Sequence, residues 1–126
     1  MHLIPADRAQ RRVIDGHTVC DAIVGIGDPG QVRAWAGRFA LLADPSRLTL
    51  LLCIRATGEI CVSDLAVAAG INDTATSQAL RLLRTAGLVA TRKDGRVVRY
   101  RLADEAARDV LDLITAHGQA GEGSGA

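Results

Sequence analysis

One phenylalanine, one tryptophan and one tyrosine are the only aromatic residues in a chain of 126. A core short of aromatics falls to leucine, valine, isoleucine and alanine, which suits small packed helices better than a β-sandwich. No apolar run approaches the roughly 20 residues of a membrane span, and residues 1–12 are too polar to resemble a signal peptide. Both absences predict a cytoplasmic protein with no membrane partner. There is no glycine-rich phosphate loop, no HExxH pair and no histidine beside a recognisable nucleophile, so nothing organises catalysis and no organic cofactor is called for. Cysteine is sparse and odd in number: Cys20, Cys53 and Cys61. In a reducing compartment they read as thiols or metal ligands before disulfides. An excess of one charge is missing too, since 15 basic residues against 14 acidic leave a formal net charge of +1. Any affinity for a polyanion must therefore come from local asymmetry.

That asymmetry lies in residues 72–102, NDTATSQALRLLRTAGLVATRKDGRVVRYRL. Asn72 or Asp73 suits a helix N-cap, and Ala75, Ala79, Leu80, Leu82 and Leu83 recur at helical spacing until Gly87 stops the helix. Residues 88–91 and 97–102 are β-rich runs joined by Lys93-Asp94-Gly95-Arg96, and Asp-Gly between such runs signals a hairpin. The helix leaves Thr74, Thr76, Ser77, Gln78 and Arg81 off its apolar stripe, residue types that bond base edges and phosphates in a major groove. From Arg81 to Arg101 there are seven basic residues (Arg81, Arg84, Arg92, Lys93, Arg96, Arg99, Arg101) and one acid, Asp94. A solvated helix beside an ordinary basic hairpin carries the same charges. Helix followed by hairpin, however, is the layout of a winged helix-turn-helix. The expected DNA contacts are Thr74, Thr76, Ser77, Gln78, Arg81, Arg84, Arg92, Lys93 and Arg96.

The remaining segments read as support for that unit. Residues 1–27 are interrupted by Gly16, Gly25 and Gly27 and predict an N-terminal arm with at most a short helical piece. Asp28-Pro29 and Asp44-Pro45 each read as N-cap and first helical residue. They open a first core helix with Trp35 and Phe39 and a second that is apolar almost all round, ending at Gly58. A third short helix starts near Cys61 or Ser63 and ends at Gly70. A last amphipathic helix spans 104–117, with Ala107, Val110, Leu111 and Ile114 on its apolar side, and Gly118 caps it. The expected organisation is an arm (1–27), a winged helix-turn-helix domain for DNA binding and dimerisation (28–117) and a disordered Gly/Ser-rich tail (118–126). The fold class is mainly α with a small β-hairpin, and a terminal helix with an uncovered apolar face predicts a homodimer.

Four blocks, LADPSRLTLLL, EICVSDLA, TATSQALRLLRTAGLV and RKDGRVVRYRLAD, occur in an order and spacing that resemble the ArsR/SmtB family of metal-responsive bacterial repressors. The resemblance covers residues 32–117. It implies a dimer that binds double-stranded operator DNA and releases it when a metal ion binds, although Gln78 stands where many members have histidine. It also implies a ligand pair in EICVSDLA, Cys61 with Asp64, completed from the arm by His17 and Cys20. Two thiolates, an imidazole and a carboxylate suit Zn²⁺ and tolerate Cd²⁺. Three thiolates including Cys53 favour softer ions such as Pb²⁺ or As(III). Equally, Cys61 reads as a small buried hydrophobe and Asp64 as a first-turn carboxylate favoured by the helix dipole. In a second family location Asp104 and His117 match two of four ligand positions; they also read as helix N-cap and dipole partner. Relief of repression by reversible oxidation of the cysteines is the alternative to metal release.

Overall fold

The computed structural model describes residues 4–8 and 11–124. The chain divides into two units, Met1–Gly37 and Arg38–Ala126. In the first unit, helix α1 covers Gly16–Ile26. Its N-cap is Asp15, whose carboxylate accepts from the backbone of His17 at 3.0 Å and Thr18 at 3.2 Å. Val19, Ala22, Ile23 and Ile26 follow at i, i+3, i+4 and i+7, one face of a helix. With Ile4, Pro5 and Val13 they line an apolar groove of about 290 Å³. The arm thus holds an 11-residue helix where the glycines predict only a short piece. A strong cap and a four-residue apolar face outweigh the roughly 1 kcal/mol that an internal glycine costs.

Helix α2 covers Pro29–Leu42 and α3 covers Pro45–Thr57. Asp44 caps α3 by accepting from the Arg47 backbone at 2.9 Å, with Pro45 supplying a helical φ and no unpaired N–H. Leu50, Leu51 and Ile54 of α3 have no exposed surface. Around them gather strand β1 (Ile60–Cys61), α4 (Val62–Ala69), α5 (Asp73–Thr85), β2 (Val89–Asp94), β3 (Val97–Leu102) and α6 (Glu105–Ser124). Helix α3 touches α4, α5, α6 and β3. The core closes with Leu65, Leu80, Leu83, Leu88, Leu102, Ala107 and Leu111.

The sheet is antiparallel with order β1-β3-β2. Asp94 pairs with Val97, so the hairpin loop is Gly95-Arg96 and Gly95 carries φ +64°. Positive φ at the first loop position is what a type II′ turn asks of glycine. The two-residue strand β1 goes beyond the expected hairpin, because Ile60 and Cys61 are too short a run to carry an alternating signal. Leu82, counted in the apolar stripe of α5, is 46% exposed.

Helix α6 does not stop at Gly118 but continues through Ser124. The expected disordered tail is therefore helical over 118–124, while Gly125 and Ala126 lie outside the described residues. Once a helix is nucleated, each added residue gains a backbone hydrogen bond, and glycine without proline weakens the ladder without breaking it. Phe39 at 52% exposure, Leu113 at 60% and Ile114 leave apolar surface on α2 and α6. Among the described residues no helix is long and apolar enough to cross a membrane.

Candidate nucleic-acid interface

A helix-turn-helix forms where α4 meets α5. Gly70 ends α4 in the left-handed conformation (φ 70°, ψ 32°), a geometry costly for a side chain with a Cβ. The Ile71 N–H then donates back to the Ala66 carbonyl at 3.1 Å, closing the turn. Asn72 opens α5 by accepting from the Ala75 N–H at 2.8 Å. The Leu88 N–H donates to the Leu83 carbonyl at 3.0 Å, which fixes the exit into β2.

Burial splits α5 into two faces. Leu80 and Leu83 are fully buried, while Thr74, Ser77, Gln78 and Arg81 are exposed. Their spacing of i, i+3, i+4 and i+7 makes one continuous polar stripe. Arg84 is exposed one turn beyond Arg81, and Lys93 and Arg96 are exposed on the hairpin. Two expected contacts change standing. Thr76 is fully buried, and its hydroxyl donates to the Asn72 carbonyl at 2.9 Å, so it braces the start of α5 and does not face outward. Arg92 is exposed, but Glu59 holds it through contacts of 2.8–3.1 Å. A groove of about 390 Å³ lies between α4, α5 and the wing, lined by Cys61, Ser63, Asp73, Ser77, Arg96 and Val97.

The expected metal ligands are placed as follows. His17 is exposed on α1, with Nε2 3.9 Å from the Asp21 carboxylate, and Cys20 on the same helix is half-buried. Cys61 is half-buried and belongs to β1, facing Arg99 across the ladder, so sheet pairing and not helical spacing sets its direction. Its sulfur lies 3.6 Å from the Ser63 hydroxyl. Asp64 is exposed in the first turn of α4. Cys53 is half-buried against the core. Among the described residues no three His, Cys, Asp or Glu side chains gather closely enough to hold one ion. Thiolate, imidazole and carboxylate donors suit a borderline or soft cation.

Asp104 caps α6, accepting from the Ala106 and Ala107 N–H groups at 2.9 and 3.2 Å and from Arg38 Nε at 2.9 Å. His117 is exposed, and because α6 runs on to Ser124 it is not at the helix C-terminus where a dipole partner sits. Burial pushes the Asp104 carboxyl up, but its bonds from Arg38 and the backbone outweigh this and hold it below the ordinary 3.8. Asp104→Ala should therefore cost about 1–2 kcal/mol, the range for losing a helix cap. A carboxyl with a depressed folded pKa stabilises fully above its unfolded value and loses that contribution as pH falls through the folded one. Chemical denaturation of parent and variant should show a constant gap at neutral pH that closes only below about pH 4.

The fold and this polar stripe define a winged helix-turn-helix, and comparison with known proteins supplies its kinship. The model of the arsR family of bacterial regulatory proteins matches residues 44–91. The transcriptional repressor SmtB homolog of Synechocystis is 41% identical over 69% of this chain and 65% of its own length. The arsenical resistance operon repressor of Escherichia coli is 43% identical over 52% and 56%. The regulator NmtR of Mycobacterium tuberculosis is 39% identical over 67% and 69%. The chain thus spans less than two thirds of the length of the first two. Among solved structures, the homodimeric winged helix-turn-helix DNA-binding domain from Mycobacterium bovis superposes with a TM-score of 0.63 at 30% identity, over 71% of this chain and 82% of that one. The chain belongs to the arsR family of bacterial regulatory proteins.

Proposed function

We propose that this protein is a transcriptional repressor that binds an inverted-repeat operator as a homodimer. The observation that carries this reading is the exposed stripe of Thr74, Ser77, Gln78 and Arg81 beside a hairpin bearing Lys93 and Arg96. Such groups reach base edges while the wing neutralises phosphates. Exposed Phe39, Leu113 and Ile114 supply apolar surface for a second copy, and the similar M. bovis domain is itself homodimeric. Two recognition helices related by a two-fold axis read half-sites about 34 Å apart. A repressor of bacterial genes works in the cytoplasm.

Selection from a random duplex pool tests the reading. It should enrich an inverted repeat whose half-site centres lie one helical turn, or a whole number of turns, apart. Failure to enrich any sequence contradicts it. Sedimentation at micromolar concentration should give twice 13.2 kDa, and a monomer contradicts the dimer.

Release of the operator on binding Zn²⁺ or Cd²⁺ is the finer part of the proposal. The donor pairs are His17 with Cys20 and Cys61 with Asp64, and neither pair alone suffices for a four-coordinate site. A bound cation would supply thiolate and imidazole bonds that hold these segments in one arrangement. Co²⁺ titration should give an intense thiolate-to-metal absorption band that is lost in Cys61→Ser, which still binds operator but no longer releases it. An unchanged band in Cys61→Ser would remove this site. The similar E. coli repressor of arsenical resistance keeps the softer ions in the same titration, with Cys53→Ser as the variant that affects them.

A further inference from the structure

Strand register decides which charges share a face. Arg92 stands opposite Arg99, and Ala90 opposite Arg101. Alternation along the strands therefore puts Arg92, Arg99 and Arg101 on one face, while Val89, Tyr100 and Leu102 point to the core. Like charges directly opposite one another destabilise a ladder. Strand β1 extends this face, with Cys61 opposite Arg99. Just before it, Glu59 accepts from Arg92 through both carboxylate oxygens, Nε at 3.1 and 2.9 Å and Nη2 at 2.8 Å. Hydrogen bonding from Arg92, with the charges of Arg92, Arg99 and Arg101, overcomes desolvation and holds the Glu59 carboxyl below its ordinary range. Asp94 lies 3.5 Å from Arg99. The face thus carries three guanidinium groups, of which Glu59 holds Arg92 and Asp94 holds Arg99.

We infer that this outer sheet face is a second seat for the DNA backbone, and that Glu59 is the internal counter-charge that a phosphate displaces. The inference rests on the DNA-binding reading above and extends it to residues outside the recognition stripe. Charge complementarity selects the occupant, since displacing Glu59 and Asp94 leaves three unneutralised guanidinium groups beside one another. Arg99 and Arg101 are about 6.8 Å apart along an extended strand, and their long side chains leave both guanidinium groups able to reach phosphates of one backbone. Continuity supports it as well. The groove lined by Ser77, Arg96, Val97 and Cys61 runs from the recognition helix to the edge of this face. A backbone leaving Ser77 passes Arg96 and arrives at the three arginines.

The test is fluorescence anisotropy at several salt concentrations, with a random-sequence duplex of about 30 base pairs and the duplex enriched by selection, a length that covers two half-sites a turn apart and their flanks. Glu59→Gln should bind both duplexes about 2–5-fold tighter, the scale of one exposed ion pair, because no carboxylate then competes with the phosphate for Arg92. Arg99→Gln with Arg101→Gln should weaken both duplexes alike and flatten the slope by about two phosphate contacts. Glu59→Gln that binds no tighter than parent overturns the inference. So does a double variant that binds both duplexes like parent while Arg81→Ala loses the selected one; the DNA-binding reading then stands without this face. A parent that binds neither duplex removes both.

Discussion

Leu83→Ala should lower the free energy of unfolding by about 3–4 kcal/mol. Leu83 is fully buried on α5 and belongs to the core with Leu50, Leu80 and Leu88. Truncation loses the transfer energy of the removed atoms and leaves a cavity, which together cost about 2–5 kcal/mol for leucine. A domain of this size holds only about 5–15 kcal/mol in all, so the variant approaches the edge of folding. Leu82 on the same helix is the matched control: it is 46% exposed, and Leu82→Ala should stay within about 1 kcal/mol. Denaturant midpoints of the two variants read the contrast. Equal losses would contradict the assignment of the core face of α5, and with it the outward stripe.

Arg81→Ala should cost about 1–3 kcal/mol against the selected duplex, a loss of 5- to 150-fold, and much less against random DNA. Arg81 is exposed in line with Thr74, Ser77 and Gln78, and among the described residues no acidic side chain is bonded to it. Arg96→Ala should behave differently. Arg96 sits in the two-residue hairpin loop, and a wing cation that meets phosphates weakens both duplexes about equally and lowers the salt slope by about one contact. The distinction matters because loss of any cation weakens DNA binding, whereas only a base-reading residue alters the ratio between sequences. Arg81→Ala with an unchanged ratio would place base recognition elsewhere.

Where an element announces itself through caps and a repeated apolar face, residues alone sufficed to place it. Asp44-Pro45, Gly70, Asn72 and Gly95 mark local backbone requirements that depend on neighbours in sequence, and the structure puts a helix start, a helix end, a cap and a turn at those positions. Contacts between distant residues were not legible in that way. Glu59 meeting Arg92 depends on β1 pairing with β3, and a two-residue strand has no period to read. Thr76 looks like a groove-facing hydroxyl until the burial of its helix face is known. Helix α1 was hidden by its glycines, although Asp15 and the spacing of Val19, Ala22, Ile23 and Ile26 carried the signal. Asp104 and Arg38 show the same limit, since their ion pair spans 66 positions of sequence.

The claim at the centre is that α5 enters the major groove while the hairpin meets the backbone. A photoreactive side chain placed at position 78, and separately at position 96, on protein bound to the selected duplex tests it most directly. Adducts from position 78 should map to bases within the inverted repeat, and those from position 96 to sugar or phosphate at its flanks. Absence of adducts from position 78, with adducts instead from a probe at the half-buried Arg108 of α6, would contradict the docking and the function built on it.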